Sequence, residues 1–221
     1  MKVWIEFTYK TPKGLESKFS SDVLSAELAL SIANDIQKTG RLKNIHFVDT
    51  KETTWSMKEL NKLLSAVETE PHNITMYFDG GFDNETFESG LGCAIYYEKN
   101  GKALRLRINQ KTNNLDNNNE AEYAALYFGL IQLENLGVHH LPVQFIGDSQ
   151  VVINQLLGEW PCMEEVLNKW ADRVEDKMKQ LGISPEYELV SRKKNQEADQ
   201  LASQALNNIE IESTIELEQK N

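Results

Sequence analysis

The chain has 221 residues, 40% of them hydrophobic, and carries 23 Lys and Arg against 34 Asp and Glu for a formal net charge of −11. That length allows one large or two small domains, and the composition is that of an ordinary soluble globular protein. No apolar run approaches the ~20 residues that cross a membrane, Met1-Lys2-Val3-Trp4-Ile5-Glu6 lacks a signal peptide's apolar core, and Cys93 and Cys162 make neither a disulfide framework nor a zinc site, so a reducing cytoplasm is expected.

Val3, Ile5, Phe7 and Tyr9 alternate with Trp4, Glu6 and Thr8, the period of a half-buried strand. Pro12-Lys13-Gly14 is a turn, and Leu15 to Phe19 returns as a second strand. Ser25 to Thr39 places Leu28, Ala29, Ile32, Ala33 and Ile36 at helical spacing, with Gly40 where a helix stops. Ile45 to Val48 is a third strand, and Ser56-Met57-Lys58-Glu59 is a capping box ahead of Leu60, Leu63 and Leu64. The expected order is ββαβα, a small domain over residues 1–66 that could bind substrate or a partner. Residues 67–73 are expected to be a linker.

A second domain is expected over 74–207, with strands near 74–79, 90–97 and 103–110. A helix follows over about 120–136 and stops at Gly137. Then come a strand at 142–147, helices at 149–157 and 163–181, a short strand from Tyr187 to Val190, and a last helix at 195–207. Residues 208–221 are acidic, lack a sustained apolar stripe and are expected to form a mobile tail.

Four short segments put one carboxylate each at the edge of an element. Asp79 ends the strand Ile74 to Phe78 and precedes Gly80-Gly81. Glu122 lies in Asn118-Asn119-Glu120-Ala121-Glu122-Tyr123 at a helix start. Asp148 ends the strand Pro142 to Ile146 in Gly147-Asp148-Ser149-Gln150, and Asp199 sits in Asn195-Gln196-Glu197-Ala198-Asp199. Carboxylates brought together repel unless a cation lies among them, and hard divalent ions with oxygen ligands suit that place.

Taken in order over residues 73–206, these segments resemble the type I ribonuclease H family, whose motifs read D-G-G, N-N-x-A-E, D-S-Q and N-x-x-A-D. The resemblance implies an α/β, ribonuclease H-like mixed five-stranded sheet with helices on both faces. It implies an endonuclease that hydrolyses the RNA strand of RNA–DNA hybrids with two ions of Mg²⁺, or of Mn²⁺, and leaves a 5′-phosphate and a 3′-hydroxyl. Asp79, Glu122, Asp148 and Asp199 would be catalytic metal ligands, and Gly80, Gly81, Asn118, Asn119, Gln150 and Arg192 would meet the substrate. The best-known members carry a loop histidine before the last acid. Here Val190-Ser191-Arg192-Lys193-Lys194-Asn195 is similar to the archaeal and plant-like version, with Arg192 near that place. Arginine cannot shuttle protons near neutral pH, but it can hold a phosphate.

Simpler roles stand beside these. Asp-Gly-Gly is also a turn composition, Glu120 and Glu122 both suit a helix N-terminus, and Asn118, Asn119 and Asp148 are all natural N-caps. Arg192 to Lys194 also reads as a solvated basic loop. The net charge disfavours a polyanion partner. Residues 1–70 hold ten acids and ten bases, so the whole excess lies after them. Lys102, Arg105, Arg107 and Lys111 on one strand are candidates for gripping substrate. A nucleic-acid-binding protein of ribonuclease H form with little turnover remains the alternative.

Overall fold

The computed structural model describes residues 1–218, side chains at 66–68 excepted. It divides into two units, Met1–Thr69 and the chain from Glu70 onward. In the first unit, β1 (Lys2–Lys10) pairs antiparallel with β2 (Glu16–Ser20), β3 (Leu24–Ser25) and β4 (Leu42–Asp49), and β4 pairs with β5 (Thr54–Trp55). Helices α1 (Ala26–Lys38) and α2 (Met57–Thr69) complete the expected ββαβα order, with two short strands added. Val3, Ile5, Ala29, Leu30, Phe47 and Leu60 form its core. The capping box closes reciprocally: the Ser56 amide donates to Glu59 Oε2 at 2.9 Å, and the Glu59 amide to Ser56 Oγ at 3.2 Å. Leu28, expected on the buried stripe of α1, is half exposed; Leu30 takes the place in the core.

The expected linker at 67–73 is much shorter. Helix α2 runs to Thr69 and β6 begins at His72, so only Glu70 and Pro71 lie between them. In the second unit β6 (His72–Asp83), β7 (Glu88–Lys99) and β8 (Lys102–Thr112) form an antiparallel meander. After α3 (Asn118–Leu136), β9 (Pro142–Gly147) lies parallel to β6. Helices α4 (Gln150–Leu156) and α5 (Glu165–Leu181) lead to β10 (Ser184–Leu189), parallel to β9. Helix α6 (Gln196–Leu206) follows a 3₁₀ turn at Arg192–Lys194.

One correction concerns the end of the chain. Within the expected mobile tail of 208–221, residues Glu212–Glu216 form β11, which pairs antiparallel with β8 and widens the sheet to six strands, β10-β9-β6-β7-β8-β11. Asn109 on β8 locks this segment in place. Its Nδ2 donates to the Leu201 and Ile209 carbonyls at 2.8 and 2.9 Å, and its Oδ1 accepts from the Ile211 amide at 2.8 Å. Residues 219–221 of that expected tail lie outside the described residues.

Strand β7, in the middle of the sheet, is buried on both faces from Ser89 to Ile95, which accounts for its continuous apolar run. Helix α3 is buried from Glu120 to Leu126 and ends at Gly137, whose φ of 85° is the left-handed turn that stops a helix.

Candidate metal centre and nucleic-acid cleft

The sheet and helices meet most closely where the side chain is missing. A Cβ at Gly80 would lie 2.1 Å from the carbonyl carbon of Ala121 and 2.4 Å from the amide nitrogen of Glu122. Only glycine at 80 lets the start of α3 rest on β6, and that contact carries Glu122 to Asp79. The sequence reading gave Gly80 to an approaching nucleic-acid backbone; its nearest neighbour is the protein's own helix. Across the sheet, a Cβ at Gly92 would lie 2.3 Å from the Ala198 carbonyl oxygen, so α6 packs as closely on β7 and brings Asp199 to the same end of the sheet.

Asp79, Glu122 and Asp148 each offer an oxygen, and these oxygens lie within 4.8 Å of one another. Asp79 and Glu122 are buried and Asp148 half-buried. Among the described residues none of the three is ion-paired. Glu122 Oε2 accepts from the Gly80 amide at 3.3 Å, and Asp148 Oδ1 from Asn195 Nδ2 at 3.3 Å. Burial, and after it the charges of Asp148 and Asp199, raise the Asp79 carboxyl to a pKa of about 7. Glu122 is raised well above its ordinary value by burial first and then by Asp79 and Asp148. These shifts record carboxylates crowded together out of water, a cost that the charge of Arg192 offsets only in part. Three hard oxygen donors so placed fit a divalent cation such as Mg²⁺ or Mn²⁺.

The competing simpler roles fall to neighbours. Asn117, which the sequence reading did not single out, is the N-cap of α3 and accepts from the Glu120 amide at 3.0 Å. Asn118 and Asn119 lie on the cleft wall. Glu120 turns away from it, accepting from the Asp116 amide at 2.7 Å and from Trp170 Nε1 at 3.2 Å. Ser149, not Asp148, caps α4 through the Val152 amide.

Asp199 lines the same cleft but stands outside the group of three whose oxygens lie within 4.8 Å of one another. Arg192 donates to its Oδ1 from Nε at 3.0 Å and from Nη2 at 2.5 Å. Asn195, fully buried, is a positioning residue absent from the sequence-derived site. Its Nδ2 donates to the Phe78 carbonyl at 2.9 Å as well as to Asp148, tying the approach of β6, the end of β9 and the start of α6 together. The cleft, about 370 Å³, is lined by all ten residues of the sequence-derived site, with Ser149, Val151, Ala202 and Ser203. The last two come from α6, and no polar signal in the sequence marked Ala202.

The four strand cations named as candidates for gripping substrate all pair with carboxylates of the protein itself. Arg105 and Arg107 both pair with Glu197, at 3.0 and 3.1 Å, and Tyr96 donates to the same carboxylate. Lys111 pairs with Glu88 and Lys102 with Glu216, each at 2.7 Å.

A family model described as reverse transcriptase-like matches residues 77–205, which run from β6 through nearly all of α6 and include all four acids. The chain belongs to the reverse transcriptase-like family. Within that family its second unit has the type 1 ribonuclease H fold. The ribonuclease H1 of Halobacterium salinarum is 24% identical with a TM-score of 0.52, covering 61% of this chain and 98% of that one. The N-terminal ribonuclease H domain of a Mycobacterium tuberculosis protein is 26% identical with a TM-score of 0.53, covering 62% and 94%. LC11 ribonuclease H1, solved in complex with an RNA/DNA hybrid, is 24% identical with a TM-score of 0.53, covering 62% and 98%. A Bacillus subtilis relative, the uncharacterised protein YpeP, is 43% identical over 205 residues, 93% of this chain and 90% of its own length. That match is longer than the ribonuclease H-like unit alone and therefore extends into the first unit. Among the described residues no helix is long and apolar enough to cross a membrane.

Proposed function

We propose that this protein is a metal-dependent ribonuclease H, an endonuclease that hydrolyses the RNA strand of RNA–DNA hybrids and leaves a 5′-phosphate and a 3′-hydroxyl. The observation that carries the reading is the trio Asp79, Glu122 and Asp148: three carboxylates from three separate elements, oxygens within 4.8 Å, on a fold held in common with ribonucleases H. A neighbour of the same fold bound to an RNA/DNA hybrid supports the substrate class.

In this reading Asp79, Glu122 and Asp148 hold one face of the metal site and Asp199 completes it. Two divalent cations bound there would lower the pKa of a water and offset the charge that develops on the phosphate. The protein's own groups do the rest. Water is the nucleophile in this reading, and Ser149 on the cleft wall is engaged as a helix cap. Asn118, Asn119 and Gln150 offer side-chain amides from the cleft wall, donors and acceptors suited to 2′-hydroxyls and base edges in a wide minor groove. The two cysteines, both free, suit a reducing cytoplasm.

Arg192 seated on Asp199 favours one second reading, a hybrid-binding protein of low turnover. A labelled RNA–DNA hybrid offered with Mg²⁺ or Mn²⁺, beside double-stranded and single-stranded RNA and with EDTA as control, separates the two. Hybrid cleavage that EDTA stops and Asp79→Asn abolishes supports the nuclease. Binding without cleavage at any metal concentration supports the alternative.

A further inference from the structure

The four acids of the cleft are not equivalent. Asp79, Glu122 and Asp148 face one another without a cation partner among the described residues, whereas Asp199 already has one. Both donors of Arg192 converge on a single oxygen, Asp199 Oδ1, and Oδ2 accepts nothing among the described residues. Backbone placement makes the pair. Arg192 opens the 3₁₀ turn that ends at Lys194, and the next residue, Asn195, is pinned in the core, so Arg192 and the first turn of α6 are held side by side. The guanidinium side chain is 79% exposed and the Asp199 side chain 26%. It can swing away into water at little cost in packing. Its positive charge also acts on Asp79 and Asp148 across the cleft.

We propose that Arg192 is a built-in counter-ion of Asp199 which a divalent cation must displace, so that the cleft fills in two steps of unequal affinity. The inference rests on the metal-dependent reading above and adds an order of occupation to it. The first ion enters among Asp79, Glu122 and Asp148, where it relieves repulsion and breaks no bond. The second meets an occupied ligand and a like charge. An exposed ion pair is a weak competitor, so the latch costs the second ion only about three- to fivefold in affinity. Once released, the guanidinium lies at the mouth of the cleft as a fork for the phosphate of an incoming strand. Binding of the second ion and engagement of substrate by Arg192 are thereby coupled through one side chain.

The test is calorimetric titration of the full chain with Mn²⁺ alone, in the wild type, Arg192→Ala and Arg192→Lys, with Asp199→Asn marking the second event. In the wild type a strong and a weaker event are expected. Arg192→Ala tightens the weaker one about three- to fivefold and leaves the strong one in place, and Arg192→Lys, which keeps the charge without the fork, falls between. A second event seen only in Arg192→Ala supports the proposal equally. A weaker event unmoved by Arg192→Ala, a single event in both proteins, or a shift confined to the strong event overturns it. If the wild type cleaves hybrid with metal and any of those results is found, the latch alone falls. If it neither binds Mn²⁺ nor cleaves, the nuclease reading falls and the latch with it.

Discussion

Replacing Asp79 by Asn should stabilise the metal-free protein, and by an amount that depends on pH in a calculable way. In the folded chain the Asp79 carboxyl ionises near pH 7 against a reference of 3.8. The folded state therefore binds more protons than the unfolded state between these values, and stability falls as pH rises through that window. Above pH 7 the accumulated penalty levels off. A shift of about three units corresponds to about 4 kcal/mol at most. Part of it arises from the neighbouring charges of Asp148 and Asp199, which redistribute when Asp79 is neutralised, so a gain of about 2–4 kcal/mol is expected at pH 8. Near pH 4 the gain should shrink to below about 1 kcal/mol. Urea unfolding of both proteins in EDTA at the two pH values measures the difference directly. Saturating Mn²⁺ at pH 8 should stabilise the wild type far more than the variant, because the ion binds the folded carboxylate. A gain equal at pH 4 and pH 8, or a variant less stable than wild type at pH 8, would refute the argument that burial and like charge hold Asp79 in a costly state.

Three further outcomes follow from the packing around the cleft. Gly80→Ala puts a methyl 2.1 Å from the Ala121 carbonyl carbon, so either α3 or β6 must shift; a loss of about 3 kcal/mol or more is expected by chemical denaturation, with hybrid cleavage falling in the protein that remains folded. Glu120→Ala leaves the part-buried Asp116 amide and Trp170 indole without their acceptor and should cost about 1 kcal/mol while cleavage persists; Glu122→Gln should abolish cleavage and leave the urea midpoint unchanged or higher.

Much of this architecture can be read from local pattern. The strand alternation in Val3 to Tyr9, the capping box at Ser56 and the stop at Gly137 are one-element signals, and each appears where the pattern places it. The four acidic segments are likewise local, and their residues line a single cleft. What escapes is written across distance. Strand β11 has no apolar alternation of its own. Its register comes from backbone bonds to β8 and from Asn109, about a hundred residues earlier. The part Glu120 plays instead depends on Trp170, fifty residues away, whose indole donates to it. The pairing of Arg192 with Asp199 requires a 3₁₀ turn between them, and their separation of seven residues does not announce it. Glycine at 80 signals that something approaches, but only the fold identifies the visitor as α3.

Strand β11 also changes what the sheet shows to the outside. Without it β8 would end the sheet as a long row of unsatisfied amides and carbonyls, a template for another copy of the chain. With it the border is five exposed residues, Glu-Ser-Thr-Ile-Glu, with a carboxylate at each end. So short and polar a border is a poor template for another strand. A chain shortened at residue 209 should therefore fail first in the test tube, by clumping at high protein concentration, while its chemistry is still intact.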